Sequence, residues 1–173
     1  CKCYFSGEHG YPGEWLHVYN VCNDTKKDDV RAKLGIGNPI TFRYSVEAYW
    51  VKDADAVFQE EYEDKKTGEK KVREKKDNTN CHMVIVARTY NAMRKLNYIL
   101  SCAHDTGFYY KPRFFIDDLL RLNSNDVFIT TACVAGLLRD DDSIEKIFKP
   151  LYEHFGKNVM LEVQTHDDPI QIE

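Results

Sequence analysis

Residues 40–50 read Ile-Thr-Phe-Arg-Tyr-Ser-Val-Glu-Ala-Tyr-Trp, and this stretch decides the fold class. Its β-branched and aromatic side chains favour a β-strand over Ile40–Trp50, with Glu47 inside it. A carboxylate in an apolar strand is rarely buried unless it is paired or bound to a metal. The stretch therefore predicts a strand and, within that strand, a candidate site.

Other apolar runs on either side of this stretch also have the length of strands, and segments of helical spacing separate most of them. The predicted strands are Cys3–Phe5, His82–Ala87, Val127–Thr131 and Val159–Val163, and the predicted helices lie around Trp15–Cys22, Met93–Ala103, Ile116–Leu120 and Ile144–Phe155. Alternating strands and helices predict an α/β protein with a mostly parallel sheet or barrel.

Local signals mark the ends of two of these helices. Thr89 or Asn91 is expected to cap the helix that Gly107 ends. Asp142 is expected to cap the last helix, and Pro150 is expected to kink that helix or split it in two.

Length and composition narrow the class of protein. The chain has 173 residues, 43% of them hydrophobic, which is enough for one domain with a buried core. No apolar run approaches the ~20 residues of a membrane span, and no signal peptide is recognisable. We therefore expect a cytoplasmic protein with free thiols and no membrane partner. The net charge of −4 indicates no basic face for nucleic acid.

Residues 52–80 differ sharply from the rest of the chain. Charged side chains of both signs dominate this segment, and Lys65–Lys70 resembles the tip of a hairpin. We interpret it as an exposed hairpin-like insertion within one domain of residues 1–173. A solvated charged face is the simpler interpretation, and binding of DNA phosphates by its lysines is the sharper one.

Four residues form the candidate site: His9, Glu47, His82 and Cys133. Each lies in or at the end of a predicted strand, and the carboxyl ends of strands in βα units converge on one face. Taken singly, His9 also suits a hydrogen-bonded loop, His82 a core position, and Cys133 a small buried residue. Together, two imidazoles, a carboxylate and a thiol predict a site for zinc or a similar divalent ion.

A site of this kind suits hydrolysis of phosphate esters, because metal ions activate water and neutralise charge on phosphoryl oxygens. Lys111 and Arg113 are candidates to bind phosphate oxygens, although a solvated turn is the simpler explanation of both. His166 follows the last predicted strand and is a candidate for a contact to a ligand or to the substrate.

At these residues the sequence resembles the polymerase-and-histidinol-phosphatase (PHP) domain of bacterial replicative DNA polymerase III alpha subunits. The motifs that carry the resemblance are Glu8-His9-Gly10, Val46-Glu47-Ala48-Tyr49, His82, Gly107–Arg113, Thr131–Gly136 and Leu161–His166. Gly107–Arg113 is the most specific of them, because it is typical of the alpha-subunit branch.

The resemblance implies a distorted seven-stranded (β/α) barrel with up to three Zn²⁺ or Mn²⁺ ions. It implies that His9, Glu47, His82 and Cys133 are metal ligands, and that Glu47, His9 and His82 act in catalysis as parts of the metal site. The family's opening His-x-His motif and its later Asp-x-His motif are absent from this sequence, which predicts a barrel incomplete at both ends. Glu8 stands where the family has aspartate.

The resemblance also implies part of a DNA-directed DNA polymerase, a nucleotidyltransferase, from a bacterial cell or a phage. Its partners would be DNA, through the full polymerase, and replisome subunits such as the sliding clamp or a proofreading subunit. The domain itself would be a metal-dependent phosphoesterase and 3′–5′ exonuclease, or a structural support for the polymerase. The alternatives are a free-standing PHP phosphoesterase acting on a small phosphate ester and a non-catalytic interaction module.

Overall fold

A computed structural model of the chain describes residues 3–5, 8–10, 12–24, 28–33, 41–53, 55–77 and 80–164. The strands are β1 (Cys3–Phe5), β2 (Glu8–His9), β3 (Thr41–Arg43), β4 (Ser45–Trp50), β5 (Val57–Glu63), β6 (Lys70–Lys76), β7 (Cys81–Ala87), β8 (Arg113–Phe114), β9 (Val127–Thr130) and β10 (Val159–Met160). The α-helices are α1 (Trp15–Cys22), α2 (Asp28–Lys33), α3 (Tyr90–Thr106), α4 (Ile116–Leu120), α5 (Asp141–Ser143) and α6 (Lys149–Phe155).

The main sheet has the order β10-β9-β7-β4-β2, and β8 also pairs with β4. The α/β class is therefore correct, but the sheet is mixed rather than mostly parallel, because β7 is antiparallel to both β4 and β9. The physical reason is the connection: a hairpin, not a crossover helix, joins β4 to β7, so the chain returns in the opposite direction. The described strands do not close into a barrel, and incompleteness at both ends stays a prediction.

The predicted strand Ile40–Trp50 is divided at Tyr44. β3 pairs in parallel with β1 in a separate two-stranded sheet, whereas β4 joins the main sheet. Ile40 lies outside the described residues. Every residue of β4 is buried, so Glu47 is held on a strand that is covered by protein on both faces.

The core lies between the main sheet and helices α3, α4 and α6. Its fully buried side chains include Val46, Met83, Ile85, Leu96, Leu119, Ile129, Ile147 and Leu151. None of the described helices is long and apolar enough to cross a membrane.

Helix α3 begins and ends where the sequence predicts. The Thr89 hydroxyl accepts a hydrogen bond from the Ala92 amide at 3.0 Å, and so caps the helix. Gly107 follows the last residue, and a Cβ there would lie 1.9 Å from the Arg113 carbonyl oxygen. Only glycine allows this close approach between the end of α3 and β8.

The last helical segment is divided, as Pro150 predicts. A π-helical turn, Ile144–Phe148, separates α5 from α6, and Pro150 is the second residue of α6. The predicted cap is wrong by two residues. Asp140, rather than Asp142, accepts the amide hydrogen bond of Ser143, at 2.7 Å, because the helix begins at Asp141.

Within residues 52–80 the chain forms a two-stranded antiparallel hairpin of β5 and β6. No residue of either strand is buried. The tip contains Gly68, whose φ of +71° suits glycine. That the hairpin is an insertion relative to the family stays a prediction.

Candidate metal centre

Strand β2 places His9 directly beside Glu47. The two residues are partners in the parallel pairing of β2 with β4, and the Gly10 amide donates to the Glu47 carbonyl oxygen at 2.8 Å. Glu8 and His9 form this short strand although Gly7 and Gly10 flank them in the sequence; Ser6 and Gly7 lie outside the described residues. Backbone pairing with β4 overrides the turn signal of the flanking glycines.

Strand β7 brings His82 to the same edge because it runs against its neighbours. His82 is the second residue of β7, and it pairs with Tyr49 near the carboxyl end of β4. In a parallel sheet the start of a strand would lie at the far edge. The antiparallel direction therefore makes it possible for His82 to face Glu47.

A tight turn after β9 supplies Cys133. The His82 amide donates a hydrogen bond to the Ala135 carbonyl oxygen at 3.0 Å. The Gly136 amide donates to the Cys133 carbonyl oxygen at 2.8 Å. A Cβ on Gly136 would lie 1.8 Å from the Thr131 carbonyl oxygen, so the turn requires glycine there. These contacts fasten the turn to the start of β7.

The four predicted ligands meet at this edge. The His9 Nδ1 atom lies 2.5 Å from Oε2 of Glu47, and the His82 Nδ1 atom lies 2.8 Å from Oε1 of the same carboxylate. The Cys133 Sγ atom lies 3.5 Å from His82 Nδ1. One ligand atom each from Glu47, His82 and Cys133 all fall within 4.8 Å of one another.

The imidazole of His82 is oriented by Asn80, which the sequence did not suggest. Nε2 of His82 lies 2.8 Å from the Asn80 side-chain oxygen, so Nε2–H donates to it. Burial lowers the pKa of His82, and the nearby charge of Lys111 lowers it further, against the opposing effect of Glu47. A neutral imidazole protonated on Nε2 directs its Nδ1 lone pair at the Glu47 carboxylate and the Cys133 thiol. Glu47, His82 and Cys133 can therefore each offer one ligand atom to a shared cation.

Tyr49 is a further member of the site. Its hydroxyl lies 2.9 Å from His9 Nδ1, and its ring packs edge-on against His82 with centroids 5.0 Å apart. Burial, with smaller effects of Glu47 and Cys133, raises the pKa of Tyr49 to about 12, so the hydroxyl stays protonated at neutral pH. The signal in the sequence was the spacing: two residues after Glu47 on a strand is the same face.

Comparison with known proteins decides the family. The model of the PHP domain matches residues 8–166, which is most of the chain. The chain belongs to the PHP domain family. The resemblance inferred from the motifs is therefore confirmed, and PHP domains are of the (β/α) barrel type.

Proteins similar to this chain include DNA polymerase III subunit alpha from three bacteria. The identity is 29% over 102 residues with that of Aquifex aeolicus (strain VF5), covering 55% of this chain and 9% of the relative. The identity with the subunit of Chlamydia trachomatis is 30% over 102 residues, which cover 56% of this chain and 8% of the relative. The identity with the subunit of Borreliella burgdorferi is 32% over 94 residues, which cover 49% of this chain and 8% of the relative. The chain thus spans less than a tenth of the length of these curated relatives.

The other predicted site residues, Lys111, Arg113 and His166, differ in their positions relative to the metal centre. The Lys111 ammonium lies 4.2 Å from the centroid of the Tyr49 ring, at the rim of the centre. Arg113 is 1% exposed, and its guanidinium donates to the carbonyl oxygens of Gly107 at 3.2 Å and Asp77 at 2.8 Å. Arg113 therefore ties β8 to the end of α3 and to the residue after β6, and the structure gives no support to a phosphate contact from it. His166 lies outside the described residues.

The donor set of this PHP domain fits a divalent metal. Imidazole, thiolate and carboxylate are the ligands that zinc takes in proteins, and carboxylate with imidazole also suits manganese. The neutral state of His82 is the form that ligates metal, and the Asn80 contact fixes which ring nitrogen points inward.

Proposed function

We propose that this PHP domain is a metal-dependent phosphoesterase that acts as a 3′–5′ exonuclease within a replicative polymerase of the DNA polymerase III alpha type. The single observation that carries the proposal is the buried carboxylate of Glu47. It is 7% exposed, and each of its oxygens faces an imidazole, from His9 and His82. A buried carboxylate costs free energy unless it is paired, so this arrangement suits a working site.

In this proposal His9, Glu47, His82 and Cys133 hold Zn²⁺ or Mn²⁺, up to three ions in the complete domain. When bound, the metal supplies Lewis acidity and an acidified water. Glu47 contributes the negative charge at the centre. Each of its two carboxylate oxygens can bind metal at one ligand position. The Tyr49 hydroxyl, 2.9 Å from His9 Nδ1, helps to orient the His9 ring.

Lys111 contributes the cation for the substrate. Its ammonium lies over the Tyr49 ring, within reach of the ligand cluster, and a lysine there attracts a phosphate oxygen as a point charge. His166 keeps the role predicted from its position after the last strand, a contact to a ligand or to the substrate.

The relatives support DNA as the substrate. Each is named DNA polymerase III subunit alpha, and the similarity covers about half of this chain. We infer that the chain works in DNA replication beside subunits such as the sliding clamp or a proofreading subunit.

The test is cleavage of a single-stranded oligonucleotide labelled at either end, with Mn²⁺ or Zn²⁺ added. We expect the oligonucleotide to be shortened from its 3′ end. The rate of shortening should fall at least about 100-fold in Glu47→Gln, because that change removes the charge of the shared ligand. Glu60→Gln on the hairpin is the matched control and should cleave like the unchanged protein, with equal thermal unfolding of both variants confirming their folds.

Three results would contradict the proposal. Absence of metal-dependent cleavage points to a structural role in the polymerase, and cleavage unaffected by Glu47→Gln places the activity elsewhere. Hydrolysis of p-nitrophenyl phosphate without cleavage of the oligonucleotide favours a phosphoesterase acting on small esters.

A further inference from the structure

Two neighbouring aromatic residues, Tyr109 and Tyr110, directly precede Lys111, which lies at the rim of the metal centre. Tyr110 is 80% exposed, although tyrosine carries a large apolar ring. The Tyr109 amide donates to the Lys111 carbonyl oxygen at 3.0 Å, which closes a tight turn with Tyr110 at its tip. The turn holds an aromatic side chain out in solvent.

The backbone at this tip is strained. Tyr110 has a φ of +59°, in the left-handed region that favours glycine. An aromatic residue in that region is unusual, and such strain concentrates at sites where a side chain must be presented in one direction. A glycine or asparagine would make the same turn without strain but without a ring.

The ring of Tyr110 has a partner that orients it. The centroids of Tyr109 and Tyr110 lie 4.7 Å apart in an edge-to-face arrangement. The Tyr109 ring is itself fixed by cations: the Lys76 ammonium lies 5.9 Å and the Arg113 guanidinium 5.3 Å from its centroid. Tyr109 is therefore a rigid support, and Tyr110 presents the accessible surface.

This aromatic surface is continuous with the metal centre through the chain. Lys111 follows Tyr110 directly, and its ammonium lies against Tyr49, whose hydroxyl contacts His9 and whose ring contacts His82. The order is thus the Tyr110 ring, the Lys111 cation next to it in the chain, and the ligand cluster that Tyr49 links to Lys111. A nucleotide offers the same order: base, phosphate, scissile bond.

We propose that Tyr110, supported by Tyr109, stacks on a base of a single DNA strand and so positions the adjacent phosphate between Lys111 and the metal centre. This inference rests on the proposed nuclease function and adds positioning residues to it. Every base has a face that stacks on an aromatic ring, so the contact accepts any sequence but needs an unpaired strand. A duplex keeps its bases stacked on each other and leaves Tyr110 without a partner.

The test separates stacking from charge and from catalysis. Binding of a fluorescent oligothymidylate and of an abasic strand of equal length is measured by anisotropy, with chelator present so that no cleavage occurs. We expect the strand with bases to bind at least about fivefold more tightly, from the stacking of one base. Tyr110→Ala should remove most of that difference, Tyr110→Phe should keep it, and Lys111→Ala should weaken both strands alike.

Tyr152→Ala, which removes another exposed tyrosine on α6, is the matched control and should retain the full preference. Equal binding of the two strands by the unchanged protein, or an unchanged preference in Tyr110→Ala, would overturn the inference. Failure of the nuclease assay with the base preference intact would instead overturn the proposed function, so the two failures are distinguishable.

Discussion

The sheet edge around Glu47 and the β5–β6 hairpin both concentrate charged side chains, but the two regions differ in burial and in the kind of partner. Glu47 is 7% exposed and faces two imidazoles and a thiol. Glu60, in the hairpin, accepts from the Arg73 guanidinium at 2.6 Å and from the Lys75 ammonium at 2.7 Å, on strands with no buried residue. One region has ligand atoms that suit a metal ion, and in the other the carboxylate of Glu60 is already paired with two cations.

The difference shows why charge density is a poor guide to chemistry. Exposed ion pairs contribute little to stability because water screens them, and they leave no donor set for a metal. A single buried carboxylate costs more to maintain and attracts the groups that balance it. The most charged segment of the sequence, residues 52–80, is thus less informative about function than one glutamate in an apolar strand.

The largest effect expected from this contrast concerns metal affinity. His82→Ala should weaken binding of Zn²⁺ more than about 100-fold, because loss of a ligand exceeds the 10–100-fold cost typical of losing a residue that merely orients one. Glu60→Ala should leave the affinity unchanged, since its carboxylate is paired within the hairpin. Calorimetric titration with Zn²⁺ measures the affinity of both variants. Equal affinities would contradict the difference between the two regions.

A smaller effect is expected from the turns of the two regions, which both use left-handed backbone. The hairpin has Gly68 at a φ of +71°, whereas the turn before Cys133 has Ala132 at +54°. Ala132→Gly should raise the free energy of unfolding by about 1 kcal/mol, and Gly68→Ala should lower it by a similar amount. Denaturant unfolding measures both.

Ala135→Gly is the control for that prediction, because among the described non-glycine residues only Tyr110 and Ala132 have positive φ. Glycine at position 135 should therefore destabilise the turn. Stabilisation by both glycine variants would show that backbone strain is not what distinguishes Ala132.

The fold was predictable where local chemistry determines it. Thr89 and Gly107 mark the ends of α3, and Pro150 marks the division of the last helix, because capping and the missing proline amide act within one turn of chain. The direction of β7 was not predictable in this way. It depends on the hairpin returning the chain beside β4, which no residue of β7 encodes.

The site was predictable in part for the same reason. The convergence of His9, Glu47, His82 and Cys133 follows from their positions in or at the ends of strands, although Glu47 lies within β4 and His82 arrives from the start of an antiparallel strand. Nothing in the sequence indicated that Asn80 contacts the site. The direction of the Arg113 side chain depends on the path of the chain between α3 and β8. Side-chain direction in a loop is set by tertiary contacts, and spacing alone does not give it.

The central claim is that Glu47, His82 and Cys133 bind one metal ion together. X-ray absorption at the zinc edge of the zinc-loaded protein tests it most directly. We expect one sulfur ligand at about 2.3 Å among nitrogen and oxygen ligands at about 2.0–2.2 Å, with the sulfur lost in Cys133→Ser and retained in Cys102→Ser. A shell of nitrogen and oxygen alone in the unchanged protein, or a sulfur signal that persists in Cys133→Ser, would contradict it.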